Sequence, residues 1–137
     1  MTVTFVDPVA AFREALLALA PGTALADVPV RSKQQQGEAP PFIRLSEGGA
    51  IRHRTGPAYK PARVNFSAWA LDEGQAVELY LTASQLLHRH GPVVRNGAGI
   101  FRIYDEMGLQ QPFEDPDTGW WRAFGVFDLV MVDRPVS

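Results

Sequence analysis

The feature that most constrains the fold is a strictly alternating segment that leads directly into a capped helix. Between residues 63 and 70, apolar side chains alternate with polar or aromatic ones, which is typical of a strand with one covered face. Asp72 then stands as a helix N-cap, and an apolar stripe at helical spacing predicts a helix over 73–90. The chain is therefore expected to pack this helix against a sheet. Trp69 lies on the other side of the strand, which suggests that something covers it.

The remaining periodicity predicts one more helix and several strands. Pro8 at a first helical position, followed by apolar residues at helical spacing, predicts a helix over 8–20. Val28–Val30 contains a proline that cannot donate a ladder hydrogen bond, so a strand there is expected at a sheet edge. Further strands are predicted over 42–47, 100–105 and 120–132, with loops over 48–61 and 108–119. This order predicts an α+β fold in which one mainly antiparallel β-sheet packs with two helices, and a single domain over residues 1–137.

The chain offers little to an enzyme or a metal site. It contains no cysteine and three histidines. His88 and His90 are two positions apart on a helix and so point in different directions, while His53 stands between two arginines that disfavour a bound cation. No nucleophile elbow, phosphate-binding glycine loop or dinucleotide motif is present. We therefore expect no metal, no cofactor and no enzymatic activity. A small enzyme would need a buried cleft around His53 or around the acidic cluster described next.

Charge is distributed unevenly along the chain. Residues 31–63 contain seven basic and two acidic side chains, a net charge of +5, whereas the chain as a whole has a net charge of -2. The loop over 48–61 is the first candidate for a working surface, because a connection this long in a compact domain is usually functional or mobile. Its candidate contact residues, with the start of the next strand, are Arg52, His53, Arg54, Tyr59, Lys60 and Arg63. The acidic stretch contributes Asp105, Glu106, Glu114, Asp115 and Asp117.

Two such regions of opposite charge suggest a head-to-tail contact between copies of the chain, which closes into a ring when the rotation allows. In that hypothesis the acidic residues and Trp120 form the subunit interface. Solvated loops that merely differ in sign, and a Trp120 covered by the first helix, are the alternatives. A nucleic-acid-binding module would instead place the basic residues on phosphates, although the acidic net charge disfavours it.

Nothing in the sequence indicates a membrane protein. No apolar run reaches the roughly 18 residues of a membrane span, and no basic segment precedes a long apolar run near Met1. A soluble protein made in a cytoplasm is expected.

Taken together, these segments resemble the tail terminator proteins of phages with long non-contractile tails, the group that includes the phage lambda terminator. The resemblance extends over essentially the full chain and rests on element order and on four segments. They are Asp7-Pro8-Val9, Pro41–Leu45, the strand 63–70 with the following helix to His90, and Trp121–Val130.

The resemblance implies an α+β subunit that forms a hexameric ring on the completed tail tube, stops tube growth and offers a surface for joining the tail to the head. Such a protein works without a cofactor, contacts the tail tube protein and a head-neck connector protein, and lets DNA pass through its bore. By the same analogy, the 48–61 loop would face the tube or the bore, and the 105–119 turn would meet a neighbouring subunit. It implies location in the virion, at the head-proximal end of the tail. A neck or head-tail connector subunit, which has a similar small α+β fold, is the alternative within structural proteins.

Overall fold

The computed structural model describes residues 2–3, 8–31, 39–50, 59–89, 93–95, 98–105, 108–133 and 135–136. Two helices, α1 (Pro8–Leu19) and α2 (Glu73–Arg89), are found in this part of the chain. The strands in chain order are β1 (Thr2–Val3), β2 (Val30–Arg31), β3 (Phe42–Ala50), β4 (Tyr59–Ala70), β5 (Val93–Arg95), β6 (Ala98–Asp105), β7 (Phe113–Glu114), β8 (Trp121–Asp133) and β9 (Pro135–Val136).

The main sheet has the strand order β2-β3-β4-β8-β6-β5. The short strand β7 also pairs with β8, on the side of β8 that faces β6 and away from β4. Every pairing in the main sheet is antiparallel except that of β2 with β3. The strands β1 and β9 form a separate antiparallel pair. The predicted α+β class, with a mainly antiparallel sheet and two helices, is confirmed.

The long central strands β4 and β8 determine which residues share a face. They pair continuously from Tyr59 opposite Val132 to Ala70 opposite Trp121. Because facing residues in a ladder point to the same side, one face of the sheet carries the apolar positions of both strands. Both helices pack on that face, and the buried positions there are Val64, Phe66, Ala68, Ala70, Ala123, Phe127 and Leu129.

Each helix forms for reasons that are visible in its sequence. In α2, the Asp72 carboxylate accepts a hydrogen bond from the Gln75 backbone N–H at 2.8 Å, which is the predicted N-cap. In α1, Phe12, Ala15 and Leu16 are fully buried at helical spacing, which accounts for the stripe that predicted it. Helix α1 ends one residue before its predicted end, and α2 extends through Arg89.

Four aromatic rings form the centre of the core. Phe66 of β4 lies 5.5 Å from both Tyr80 and Phe127, and Phe12 lies 5.3 Å from Phe127, as ring centroid distances. Gly125 faces Phe66 in the ladder, and the Tyr80 ring fills the space beside it. A side chain larger than hydrogen at position 125 would overlap that ring.

The structure corrects the predicted loop over 48–61. Strand β3 continues to Ala50 and β4 begins at Tyr59, so Tyr59 and Lys60 are strand residues opposite Val132 and Met131. Their backbones are paired with β8, a partner more than 70 positions later that local periodicity cannot reveal. Residues 48–50 and 59–61 of the predicted loop are therefore strand, and residues 51–58 lie outside the described residues.

Smaller corrections concern the sheet edges. The edge strand predicted at Val28–Val30 is found as β2, which begins at Val30, and the Pro29 carbonyl accepts a hydrogen bond from Ile43 at 2.8 Å. The predicted turn region over 108–119 contains β7, which makes a hairpin with β8. Strand β5 was not predicted, and its three residues gain their structure from pairing with β6.

Candidate interaction surface on the outer face of the sheet

The face of the sheet opposite the helices, here called the outer face, is formed by the alternate positions of the central strands. The ladder places Trp69 opposite both Phe42 and Arg122, and Ser67 opposite both Arg44 and Phe124. Arginine and aromatic side chains therefore alternate across three neighbouring strands. The outer face combines positive charge with aromatic surface.

Arg122 is held rigidly at the centre of this face. Its guanidinium carbon lies 4.7 Å from the ring centroid of Phe124 and 5.7 Å from that of Trp69. Its Nε donates a hydrogen bond to the Ser67 hydroxyl at 2.9 Å, and Ser67 is itself buried. Cation–π contacts with two rings and one hydrogen bond hold the side chain in place.

Arg44 lies beside this group and is exposed. Burial lowers the pKa of Arg122, and the nearby positive charge of Arg44 lowers it further. Within the described part of the chain, no carboxylate forms an ion pair with either arginine. We call the group Arg44, Ser67, Trp69, Arg122 and Phe124 the arginine platform.

Trp69 is half-buried, in partial agreement with the cover that its outward position in the sequence suggested. Its ring stacks on Phe42 at 6.2 Å between centroids, and Trp120 meets Phe42 edge-on at the same separation. Phe42 is almost fully buried by these neighbours. Trp120 is half-buried in this contact, so part of the indole that was predicted as an interface residue packs within its own chain.

The predicted acidic turn is a tight hairpin between β7 and β8. Asp115 organises it, because its carboxylate accepts hydrogen bonds at 3.1 Å from the Asp117 N–H and from the Thr118 hydroxyl. Gly119 adopts a φ of 73°, a left-handed conformation that favours glycine. Glu114 and Asp117 are exposed. We call residues 114–117 the acidic tip.

The hydrogen bonds within the turn show that the predicted interface residues do not all have the same role. Asp115 has a structural role within its own turn, so charge reversal at this position would disturb the hairpin as well as any contact. Within the described residues, the carboxylates of Glu114 and Asp117 have no hydrogen bond or ion pair. Asp105 ends β6, and Glu106 lies outside the described residues.

The predicted basic surface is only partly described. Arg52, His53 and Arg54 lie outside the described residues. Arg63 belongs to β4, and its guanidinium forms a forked ion pair with Asp128 of β8, with Nε–Oδ1 and Nη2–Oδ2 distances of 2.8 and 3.4 Å. Its charge is therefore largely matched within the chain.

Sequence reasoning did not single out Arg44 and Arg122 as functional residues. They are 78 positions apart, and only the register of β3, β4 and β8 brings them to one face. The available signal was the outward tryptophan at position 69, which marks the same face.

The acidic tip and the flanks of the basic segment lie at opposite ends of the sheet. Tyr59, which follows residues 51–58, pairs with Val132 at one end of the central ladder, and Trp121, which follows the acidic hairpin, pairs with Ala70 at the other. The 12 residues of β4 separate the two ends by roughly 36 Å. This separation excludes an ion pair between the acidic tip and the flanking residues within one copy.

The described ranges contain neither a metal-binding cluster nor a membrane-spanning helix. No cluster of three or more His, Cys, Asp or Glu side chains in this part of the chain could hold a metal ion. Neither described helix is long and apolar enough to cross a membrane.

Comparison with known proteins gives a structural likeness. No family model matches the chain, and no curated protein matches it. Among solved structures, a chain of the virion of a native gene transfer agent particle is similar, with a TM-score of 0.65. The likeness covers 93% of this chain and 95% of that chain at 19% sequence identity. The two chains therefore share an α+β fold over nearly their whole lengths.

Proposed function

We propose that this chain is a virion structural protein, and specifically a phage tail terminator that forms a hexameric ring on the end of the tail tube. The observation that carries the proposal is the fold likeness to a chain of a virion particle, which extends over nearly all of both chains. It agrees with the resemblance to tail terminators found in the sequence.

The distribution of charge supports a ring. A closed ring of identical subunits needs two different and complementary surfaces on each copy. The chain has an acidic tip at one end of its sheet and, beside it on the outer face, the arginine platform. In this proposal the ring stops addition of tube subunits, presents a surface to a head-neck connector protein, and leaves a bore for DNA. The protein acts without enzymatic chemistry or cofactor, is assembled in the host cytoplasm and ends in the virion at the head-proximal end of the tail.

The test is to add the purified chain to growing tail tubes assembled from the tube protein of the same particle. Tube length is followed by light scattering, and tube ends are imaged by negative-stain electron microscopy. We expect growth to stop and a ring of density to be present at one end of each tube. A suitable control is the same chain denatured by heat, which should leave growth unchanged.

Tubes that stay bare and keep growing would refute the terminator proposal. In that case the neck or head-tail connector becomes the next candidate, and binding of the chain to portal rings rather than to tubes would identify it. The nucleic-acid-binding alternative makes a different prediction, since affinity for DNA would fall steeply with added salt.

A further inference from the structure

We propose that the arginine platform of one copy binds the acidic tip of a second copy, with Arg44 and Arg122 facing Glu114 and Asp117 of the neighbour. This inference rests on the proposed ring function, and it names the two surfaces that join the subunits. It differs from the pairing expected from sequence, in which the 48–61 segment was the basic partner.

The arginine side chains of the platform are oriented so that they can bind a carboxylate. Arg122 donates a hydrogen bond from Nε to Ser67, and its guanidinium lies over the rings of Trp69 and Phe124. These contacts restrict the direction of its remaining N–H donors. An arginine that is already immobilised loses little conformational entropy when it binds. Arg44 adds a second positive charge that has no partner among the described residues. A bound carboxylate would relieve the repulsion between the two cations.

The acidic tip is equally well ordered. The Asp115 carboxylate fastens the turn, and the backbone bond from the Asp115 N–H to the Trp120 carbonyl at 2.8 Å closes the hairpin. Glu114 and Asp117 are exposed on this rigid support. Phe113, the residue before the tip, is 55% exposed and offers apolar surface next to the charges. An aromatic side chain beside charged groups is a common feature of protein interfaces.

The contact forms between copies rather than within one. Pairing of β7 with β8 fixes the tip at the edge of the sheet, and no ion pair joins it to Arg44 or Arg122 of the same described chain. The tip adjoins the platform at one end of the sheet, because Phe113 pairs with Arg122, and the two surfaces are opposite in charge. When the tip of each copy docks on the platform of the next, the contact is heterologous, and it closes into a ring if the rotation from copy to copy allows.

A second copy fits the platform better than a nucleic acid does. The chain has a net charge of -2, and the acidic tip would repel a polyanion lying across the same end of the sheet. The charges that a partner needs are present on the chain itself.

The test is a charge exchange measured by sedimentation velocity over a range of protein concentrations. Arg44→Glu reverses the platform, and Asp117→Arg reverses the tip; both side chains are exposed and leave the core unchanged. We expect each variant alone to associate about tenfold more weakly than wild type, or worse. Glu78→Arg reverses an exposed charge on α2, on the opposite side of the sheet from the platform, and should associate like wild type.

Mixing the two variants is the decisive step. When the two variants alternate in an assembly, the reversed platform of Arg44→Glu meets the reversed tip of Asp117→Arg. At the next interface the native platform of Asp117→Arg meets the native tip of Arg44→Glu, so opposite charges face each other at both. Association should therefore return in the mixture, and also in the variant that carries both changes. Melting temperatures of all variants serve to check that each one is folded.

Three results would overturn the proposal. These are single variants that associate like wild type, a mixture that stays monomeric, and a wild-type chain that stays monomeric at the highest soluble concentration. Loss of binding to a fluorescent DNA duplex in Arg44→Glu, with unchanged self-association, would make the platform a nucleic-acid contact instead. The tube assay separates this inference from the proposed function: rings that do not cap tubes would refute only the function, and equal capping by wild type and Arg44→Glu would refute only the interface.

Discussion

Replacing Gly125 with alanine should strongly destabilise the protein, because the Tyr80 ring occupies the space that a methyl group would need. A Cβ built on Gly125 would lie 2.5 Å from Cζ of Tyr80, and closer still to Oη and Cε2. Carbon atoms in ordinary contact are about 3.5–4.0 Å apart, so the ring would have to move by roughly 1 Å or more. Tyr80 is fully buried between Phe66 and Phe127, which leaves little room for that movement.

The expected magnitude follows from two opposing effects. Overpacking of a well-filled core usually costs about 1–3 kcal/mol, and this overlap belongs at the upper end of that range. Replacing glycine by alanine also restricts the unfolded chain, which offsets about 0.4–1 kcal/mol. We therefore expect a net loss of about 2–2.5 kcal/mol in the free energy of unfolding. For a chain of this size that corresponds to a melting temperature lower by on the order of 10 °C.

The assay is thermal and urea unfolding of Gly125→Ala beside Gly74→Ala. Gly74 is exposed at the start of α2, and a Cβ there would meet only Asp72 Oδ1 at an ordinary 3.4 Å, so this control should melt within a few degrees of wild type. The double variant Gly125→Ala with Tyr80→Leu should lose less stability than the sum of the two single changes, by about 0.5–3 kcal/mol. Wild-type stability in Gly125→Ala, or strict additivity in the double variant, would refute this account of the core.

Further predictions concern the core, an ion pair and the acidic hairpin. Phe127→Ala should cost about 3–5 kcal/mol in unfolding free energy, measured in urea, and a negligible change would contradict its place in the aromatic core. Arg63→Met should destabilise the protein more than Asp128→Asn does, by about 1 kcal/mol. Arg63→Met leaves the Asp128 carboxylate, which is 12% exposed, as a buried charge without its partner, whereas Asp128→Asn leaves Arg63, which is 38% exposed and can turn to water. Equal melting temperatures of the two variants would argue against this. Asp115→Ala should cost about 0.5–2 kcal/mol by analogy with a lost helix cap, while Asp115→Asn, which keeps one acceptor, should cost less. If alanine and asparagine at position 115 melt alike, the carboxylate does not organise the turn.

Local patterns in the sequence were sufficient for the main elements. The apolar stripe with an N-cap at Asp72 predicted α2 to within a residue of its observed end. The alternation over 63–70 correctly predicted which side chains of β4 face the core. These features depend on backbone periodicity and on contacts a few residues apart, which are written directly in neighbouring side chains. Composition alone likewise excluded disulfide bonds and thiolate ligands, because the chain contains no cysteine.

Contacts between distant segments were decided only by the tertiary structure. Tyr59 and Lys60 become strand residues because β8 supplies their ladder partners, and Arg63 finds its counter-ion in Asp128, 65 positions later. The arginine platform has the same origin, since Arg44 and Arg122 share a face only through the register of three strands. The sequence determined which segments are strands and which of their faces are apolar; pairing and register, which local patterns do not encode, decided which charges meet.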